Sequence, residues 1–256
     1  MNKVLQNNKP FINYLNVNLD YLKKGIENSI DFFTKHKGFY WHIHEETIKN
    51  FYTSILKEND SAIDIGAHKG LHTFPLSEII KTGKLLAIEP IPFLAKKLKD
   101  LFAAKANVTV ENCALSDVVS KMDFYIYTED LEESSLSKRE ERMKNRGEYI
   151  VEKIDVKTLD EYIDLFQSCK FIKIDAEGAK INILQGGKNF INKFRPLICL
   201  EFGDDVKYFN HTKGELFDWC EVNDYYLADI FGNIFKDKKI WEQPLPIWDF
   251  LLIPKK

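Results

Sequence analysis

Ahead of any element, the stretch Ser61-Ala-Ile-Asp64-Ile-Gly66-Ala67-His68-Lys69-Gly70 offers chemistry: an apolar run delivers an acid and a glycine-bearing turn to the start of a helical stretch. Glycine admits positive φ and the close approach of a ligand, and a helix start offers free N–H groups, so such a turn can cradle part of a nucleotide-like cofactor. The residues discriminate among cofactors. A phosphate loop requires a lysine and a hydroxyl after its last glycine, and Leu71-His72 stand there instead. A dinucleotide turn wants three glycines. Here His68 fills the middle position, and Asp64, before the first glycine, would meet a pyrophosphate unfavourably. S-Adenosylmethionine carries no phosphate, and the ammonium of its amino-acid end suits an acid at that place. A second acid, Glu89, ends the run Leu85-Leu-Ala-Ile88 and is followed by Pro90. A carboxylate about twenty residues beyond the turn can accept two hydrogen bonds from vicinal ribose hydroxyls.

These residues need a sheet to present them. After Asn59 the chain alternates short apolar runs with helical stretches, as in a parallel sheet covered on both faces. The expected strands are Ala62–Ile65, Lys84–Ile88, Val108–Asn112, Phe171–Ile174 and Leu197–Glu201, with Tyr225–Asp229 and Trp248–Ile253 as a closing antiparallel pair. Helices are expected over Pro92–Ala104, where proline opens the first turn, and over Ala179–Asn192. Upstream, Leu19, Leu22, Ile26, Ile30 and Phe33 recur at helical spacing between Leu19 and His36, and a second helix is expected over Glu45–Lys57. The organisation is therefore an N-terminal helical extension over residues 1–58 and a catalytic domain over 59–256. The segment Thr128–Glu148, dense in mixed charge, reads as a solvated surface helix or loop, with a flap near the site as the alternative.

A formal charge of −3 over 256 residues gives no general attraction to polyanions, so nucleic acid is not an expected partner. No run reaches the ~18 apolar residues of a membrane span, and the Asn- and Pro-broken N-terminus makes a poor secretory signal. Cys113, Cys169, Cys199 and Cys220 form no C-x-x-C pair. They fit buried thiols in a reducing cytoplasm rather than a zinc site. His42 and His44 would share one face of an extended segment, where packing is the simpler duty.

The arrangement from Ser61 to Gly203 resembles the FkbM-type methyltransferases. The resemblance is carried by Asp64-Ile-Gly66-Ala67-His68-Lys-Gly70, Ile88-Glu89-Pro90, Asn112-Cys113-Ala114-Leu115-Ser116-Asp117, Val156-Lys-Thr158-Leu159-Asp160, Ile172-Lys173-Ile174-Asp175-Ala-Glu177-Gly178, and Arg195-Pro196-Leu-Ile-Cys-Leu-Glu201. His68 stands where the family often has Asn. The resemblance implies a Rossmann-like class I methyltransferase fold of seven mostly parallel strands, S-adenosylmethionine as donor, and a hydroxyl acceptor on a sugar, glycan or secondary metabolite. It places Asp64, Gly66, Ala67, His68 and Gly70 under the methionine part, Glu89 and Pro90 at the ribose, Cys113 and Ala114 along the adenine, and Asp175 near the reacting methyl. Methyl transfer is an in-line displacement, and an alcohol acceptor needs a base. Asp175, Glu177 and Glu201 are the candidates, with Asp175 preferred. No resident metal is expected, a divalent ion between Asp175 and Glu201 being the less favoured route to the same activation. The competing readings are an amine or carboxylate acceptor, and a catalytically silent cofactor-binding module.

Overall fold

The computed structural model describes residues 37–138, 148–243, 245 and 247–255, with the side chains of 37–43 left aside. The helix expected over Leu19–His36 lies outside the described residues, as do residues 139–147 of the charged segment. The chain separates into two compact units, Met1–Asn50 and Phe51–Lys256. Helix α1 (Lys37–Ile55) crosses that boundary and begins earlier than the Glu45 start expected from the sequence. His42 and His44 lie in this helix, so the extended segment expected around them is corrected to a helical one.

Strands β1 (Ala62–Ile65), β2 (Leu85–Ile88) and β3 (Val108–Glu111) form half of the main sheet. The apolar runs of β1 and β2 are buried along their whole length, the signature of parallel strands covered on both faces. The sheet is completed by β7 (Phe171–Ile174), β8 (Leu197–Glu201), β9 (Tyr225–Asp229) and β10 (Asp249–Pro254). Its order is β3-β2-β1-β7-β8-β10-β9, seven strands in all. β10 alone runs against its neighbours β8 and β9, whereas β3, β2, β1, β7 and β8 pair in parallel. This is the seven-stranded, mostly parallel sheet that the resemblance implies. The order turns back at β1 and β7, and ligands of open α/β sheets bind beyond the carboxyl ends of the strands at such a reversal.

Helix α2 (Thr73–Ile79) follows β1, and α3 (Pro92–Phe102) follows β2, with proline in its first turn and Leu94, Ala95, Leu98 and Phe102 as its buried stripe. The single helix expected over Ala179–Asn192 is two, α4 (Lys180–Gly186) and α5 (Lys188–Phe194). The break has a packing cause, because a Cβ on Gly186 would lie 2.1 Å from the Ser116 carbonyl oxygen, so the backbones meet only through glycine there. The N–H groups at the start of α5 are held by Asp160, whose Oδ1 accepts from Phe190 N at 2.7 Å. Helix α6 (Lys213–Val222) starts with a reciprocal Thr212–Glu215 capping box, and the short α7 (Lys238–Trp241) precedes β10.

A second sheet was not foreseen. Strands β4 (Ala114–Leu115), β5 (Ser120–Tyr127) and β6 (Tyr149–Lys157) take the order β4-β6-β5, with β5 and β6 antiparallel. Phe124, Ile126, Ile154 and Val156 pack from this sheet against Ile91 and Leu94 at the start of α3. The described part of the charged segment is not a surface helix. It makes one 3-10 turn at Leu131–Glu133 and a bridge from Ser135 back to Tyr125.

Candidate active site

The turn after β1 is built on three positive φ angles, Gly66 at 82°, His68 at 49° and Gly70 at 88°. A left-handed residue other than glycine is most often Asn, Asp or His, which explains why His68 can stand where the family has Asn. Gly66 carries a tighter constraint. Its Cβ, if present, would lie 1.8 Å from the Asp175 carbonyl oxygen, so the turns after β1 and β7 touch through their backbones. Asp175 N donates to Ile65 O at 2.8 Å across the same seam.

Glu89 is 2% exposed. Its Oε2 accepts from His68 N at 2.6 Å and its Oε1 from Ile91 N at 2.8 Å, so one carboxylate ties the β1 turn to the loop that opens α3. Burial pushes its pKa up to about 7, against the lowering effect of those two N–H groups. Asn112 Nδ2 donates to the carbonyl oxygens of Glu89 and Pro90, both at 2.9 Å, and fixes the strand end from outside. Asp64 is also 2% exposed, and its carboxylate accepts from the hydroxyl of Thr73. Burial raises its pKa as well, opposed by His72, Thr73 and Lys173. The sequence reading placed Asp64 and Glu89 against a ligand; the structure adds that both carboxylates also brace the turn from within. Cys113 and Ala114 are buried, Cys113 with its Sγ 3.4 Å from the Tyr162 hydroxyl.

Beyond β7 and β8 the three candidate bases converge. Asp175, Glu177 and Glu201, which sequence separates by up to a whole helix pair, bring one carboxylate oxygen each within 4.8 Å of the others. All three are partly exposed. Burial, reinforced by Asp175, drives the Glu201 carboxyl well above the usual glutamate range, with Lys180 pulling the other way. His68 lines a cleft of about 190 Å³ with Lys69, Phe93, Lys97 and Leu131. Burial lowers its pKa, outweighing the pull of Glu132. Leu131 and Glu132 belong to the charged segment. The same segment is tied to the loops after β7 and β8, where Ser135 Oγ donates to Glu177 O at 2.8 Å and Ser137 Oγ to Tyr208 O at 3.1 Å.

Sequence reasoning missed the residues behind these carboxylates. Lys173 and Lys180, both 1% exposed, pair with Asp249 at 3.1 Å and Asp205 at 2.6 Å. The signal was present in Phe-Ile-Lys-Ile: a lysine inside a fully buried strand must find an acid. Two further histidines have partners of their own, His72 facing the Tyr52 hydroxyl at 3.5 Å and His211 pairing with Glu215 at 2.7 Å. The four cysteines are buried and form no disulfide, as expected.

Comparison with known proteins matches the sequence to a family. The methyltransferase FkbM domain matches residues 64–227, from the β1 acid to β9. No curated protein matches the chain. Among solved structures, a methyltransferase FkbM from Methylobacillus flagellatus KT is 17% identical over 77% of this chain and 44% of its own, with a TM-score of 0.48. The chain thus spans less than half the length of that protein. A SAM-dependent methyltransferase from Aquifex aeolicus is 11% identical over 80% of this chain and 87% of its own, at a TM-score of 0.41. The Methanococcus jannaschii fibrillarin pre-rRNA processing protein is 16% identical over 78% of this chain and 68% of its own, also at 0.41. The family match covers well over half of the sequence and includes the glycine turn, Glu89 and all three convergent carboxylates: the chain belongs to the FkbM methyltransferase family.

Proposed function

We propose that the protein transfers the methyl group of S-adenosylmethionine to a hydroxyl of a sugar, glycan or secondary metabolite. The observation that carries this reading is the meeting, at the carboxyl edge of one sheet, of the left-handed turn after β1, the buried Glu89 and the carboxylates of Asp175, Glu177 and Glu201. The donor carries two positive groups, sulfonium and ammonium, against one carboxylate, and a cleft edge rich in carboxylates attracts it. Each Glu89 oxygen spends one lone pair on a backbone N–H and keeps another for a ribose hydroxyl. The residues therefore fit the donor. When bound, it supplies an activated methyl group.

The chain's own work is positioning and proton removal. The backbone seam between Gly66 and Asp175 fixes the cofactor turn relative to the base, so donor and acceptor are held for in-line approach. Asp175 takes the proton of the acceptor hydroxyl, a contribution of ~10²–10⁴-fold for a well-placed base. Glu201 holds its proton more firmly than an exposed glutamate, which equips it to donate a hydrogen bond to an acceptor oxygen. Asp175→Asn keeps the shape of the side chain and tests the assignment. Donor affinity measured by calorimetry should stay within a few-fold while transfer falls by ~10²–10⁴-fold. An equal loss of both would make Asp175 a donor ligand and pass the base role to Glu177 or Glu201.

A further inference from the structure

Lys173 occupies the third position of a strand whose four residues are all buried. A buried ammonium persists only when it is paired. Its Nζ lies 3.1 Å from Asp249 Oδ1 and 3.8 Å from Asp175 Oδ2. The two acids differ in exposure, since the Asp249 side chain is 3% exposed and that of Asp175 is 35% exposed. One is an internal anchor and the other faces outward. In the sheet, Lys173 stands in register with Asp64 of β1 and Cys199 of β8, and Asp249 with Glu201, so the lysine reaches past β8 to the first residue of β10. The charged and titratable groups around it are therefore Asp64, Asp175, Cys199, Glu201 and Asp249. At 3.8 Å its hold on Asp175 is ionic and not a hydrogen bond, which leaves the Asp175 oxygens free to accept from a ligand.

We propose that Lys173 is a positioning residue that holds the Asp175 carboxylate in place against the repulsion of Glu177, and that Asp249 locks the lysine, making the closing strand β10 part of the site. Asp249 lies beyond residue 227, where the family match ends. The proposal rests on the reading of Asp175 as the base. A lysine that only stabilised the sheet would act independently of Asp175; a positioning lysine acts through it.

A double-mutant cycle separates these roles. Lys173→Met with Asp249→Asn removes both charges of the pair together, so that neither partner is left behind as a buried ion. Transfer from methyl-labelled adenosylmethionine to the acceptor-bearing cell fraction is measured alongside donor affinity by calorimetry. The pair variant should transfer about 10- to 100-fold more slowly, within the worth of the base, with donor affinity unchanged within about threefold. Added to Asp175→Asn, the same two changes should cost less than about twofold more, because nothing remains to position. Independent, multiplying losses would overturn the proposal. Crystal structures of the unmutated protein and the pair variant give a readout that needs no turnover. Asp175 should stand beside Lys173 in the first and turn away in the second, and an unmoved Asp175 would overturn the proposal whatever the rates. If the unmutated protein transfers nothing and Asp175 still moves in the variant, the proposed function fails and the positioning role stands. Lys173→Arg keeps the charge and shifts its head, and serves where the pair variant does not fold: it should slow transfer at unchanged donor affinity, and unchanged transfer would overturn the proposal.

Discussion

Glu89 shows how one side chain can carry both fold and ligand. Sequence placed it at the ribose because an acid ends β2 at the right distance behind the glycine turn. Its two bonds to His68 N and Ile91 N were not legible, because they depend on how the turn folds back over the strand end. Glu89→Ala should therefore lower donor affinity at least tenfold and also cost about 1–3 kcal/mol of stability, since two buried N–H groups lose their acceptor. Calorimetry reads the first and urea unfolding the second. The raised pKa adds a pH signature. Between the ordinary value of 4.5 and about 7 the native protein retains a proton that the unfolded chain has released. The native state binds more protons in that window, so this group's contribution to stability is complete below pH 4.5 and is lost as pH rises through about 7. At its steepest the slope is about 1.4 kcal/mol per pH unit. Unfolding measured at pH 5 and pH 8 should show a stability difference between the unmutated protein and Glu89→Ala that shrinks at the higher pH. A constant difference would mean that Glu89 is ionised throughout.

At the scale of elements, the seam between the β1 and β7 turns decides whether the site exists. Gly66→Ala places a Cβ 1.8 Å from the Asp175 carbonyl oxygen, at a φ of 82° that side chains avoid. Backbone strain of this kind costs about 1–3 kcal/mol before the clash is counted. The variant should melt at lower temperature and lose donor affinity together, because the turns must separate; an unchanged melting temperature would show that the seam is pliable. The strands that form this seam were legible in sequence because Ala62–Ile65 and Phe171–Ile174 are short apolar runs, which only a sheet buried on both faces accommodates. The β5–β6 hairpin was not. Ser120–Tyr127 and Tyr149–Lys157 bury few residues apiece and mix exposed apolar residues with Lys121, Asp123, Glu152, Lys153 and Asp155, so neither shows the apolar run of a core strand until Phe124, Ile126, Ile154 and Val156 meet Ile91 and Leu94. The same limit hid the role of the charged segment, whose Ser135 and Ser137 find carbonyl partners distant in sequence. Lys173 was visible as a residue and illegible as a partner, since Asp249 is 76 positions away.

Across the whole molecule, the donor ties these parts together. Among the described residues no helix is long and apolar enough to cross a membrane, and the formal charge of −3 gives no broad attraction to polyanions. Binding energy must come from the site itself. S-Adenosylmethionine and its demethylated product should each add about 2.7 kcal/mol to stability at ~100 times their dissociation constants. NAD and ATP should add nothing, because the turn lacks the glycines and the lysine that phosphates require. Thermal shift compares the four, and stabilisation by NAD alone would sink the cofactor assignment. Transfer itself is the most direct measurement. The full chain is incubated with methyl-labelled adenosylmethionine and fractionated metabolites and glycans, and the labelled product is identified. The account predicts label on a hydroxyl oxygen of a small molecule or glycan, formed by the unmutated protein and strongly reduced in Asp175→Asn. Donor binding without label in any fraction, or label on nitrogen or a carboxylate, would contradict it.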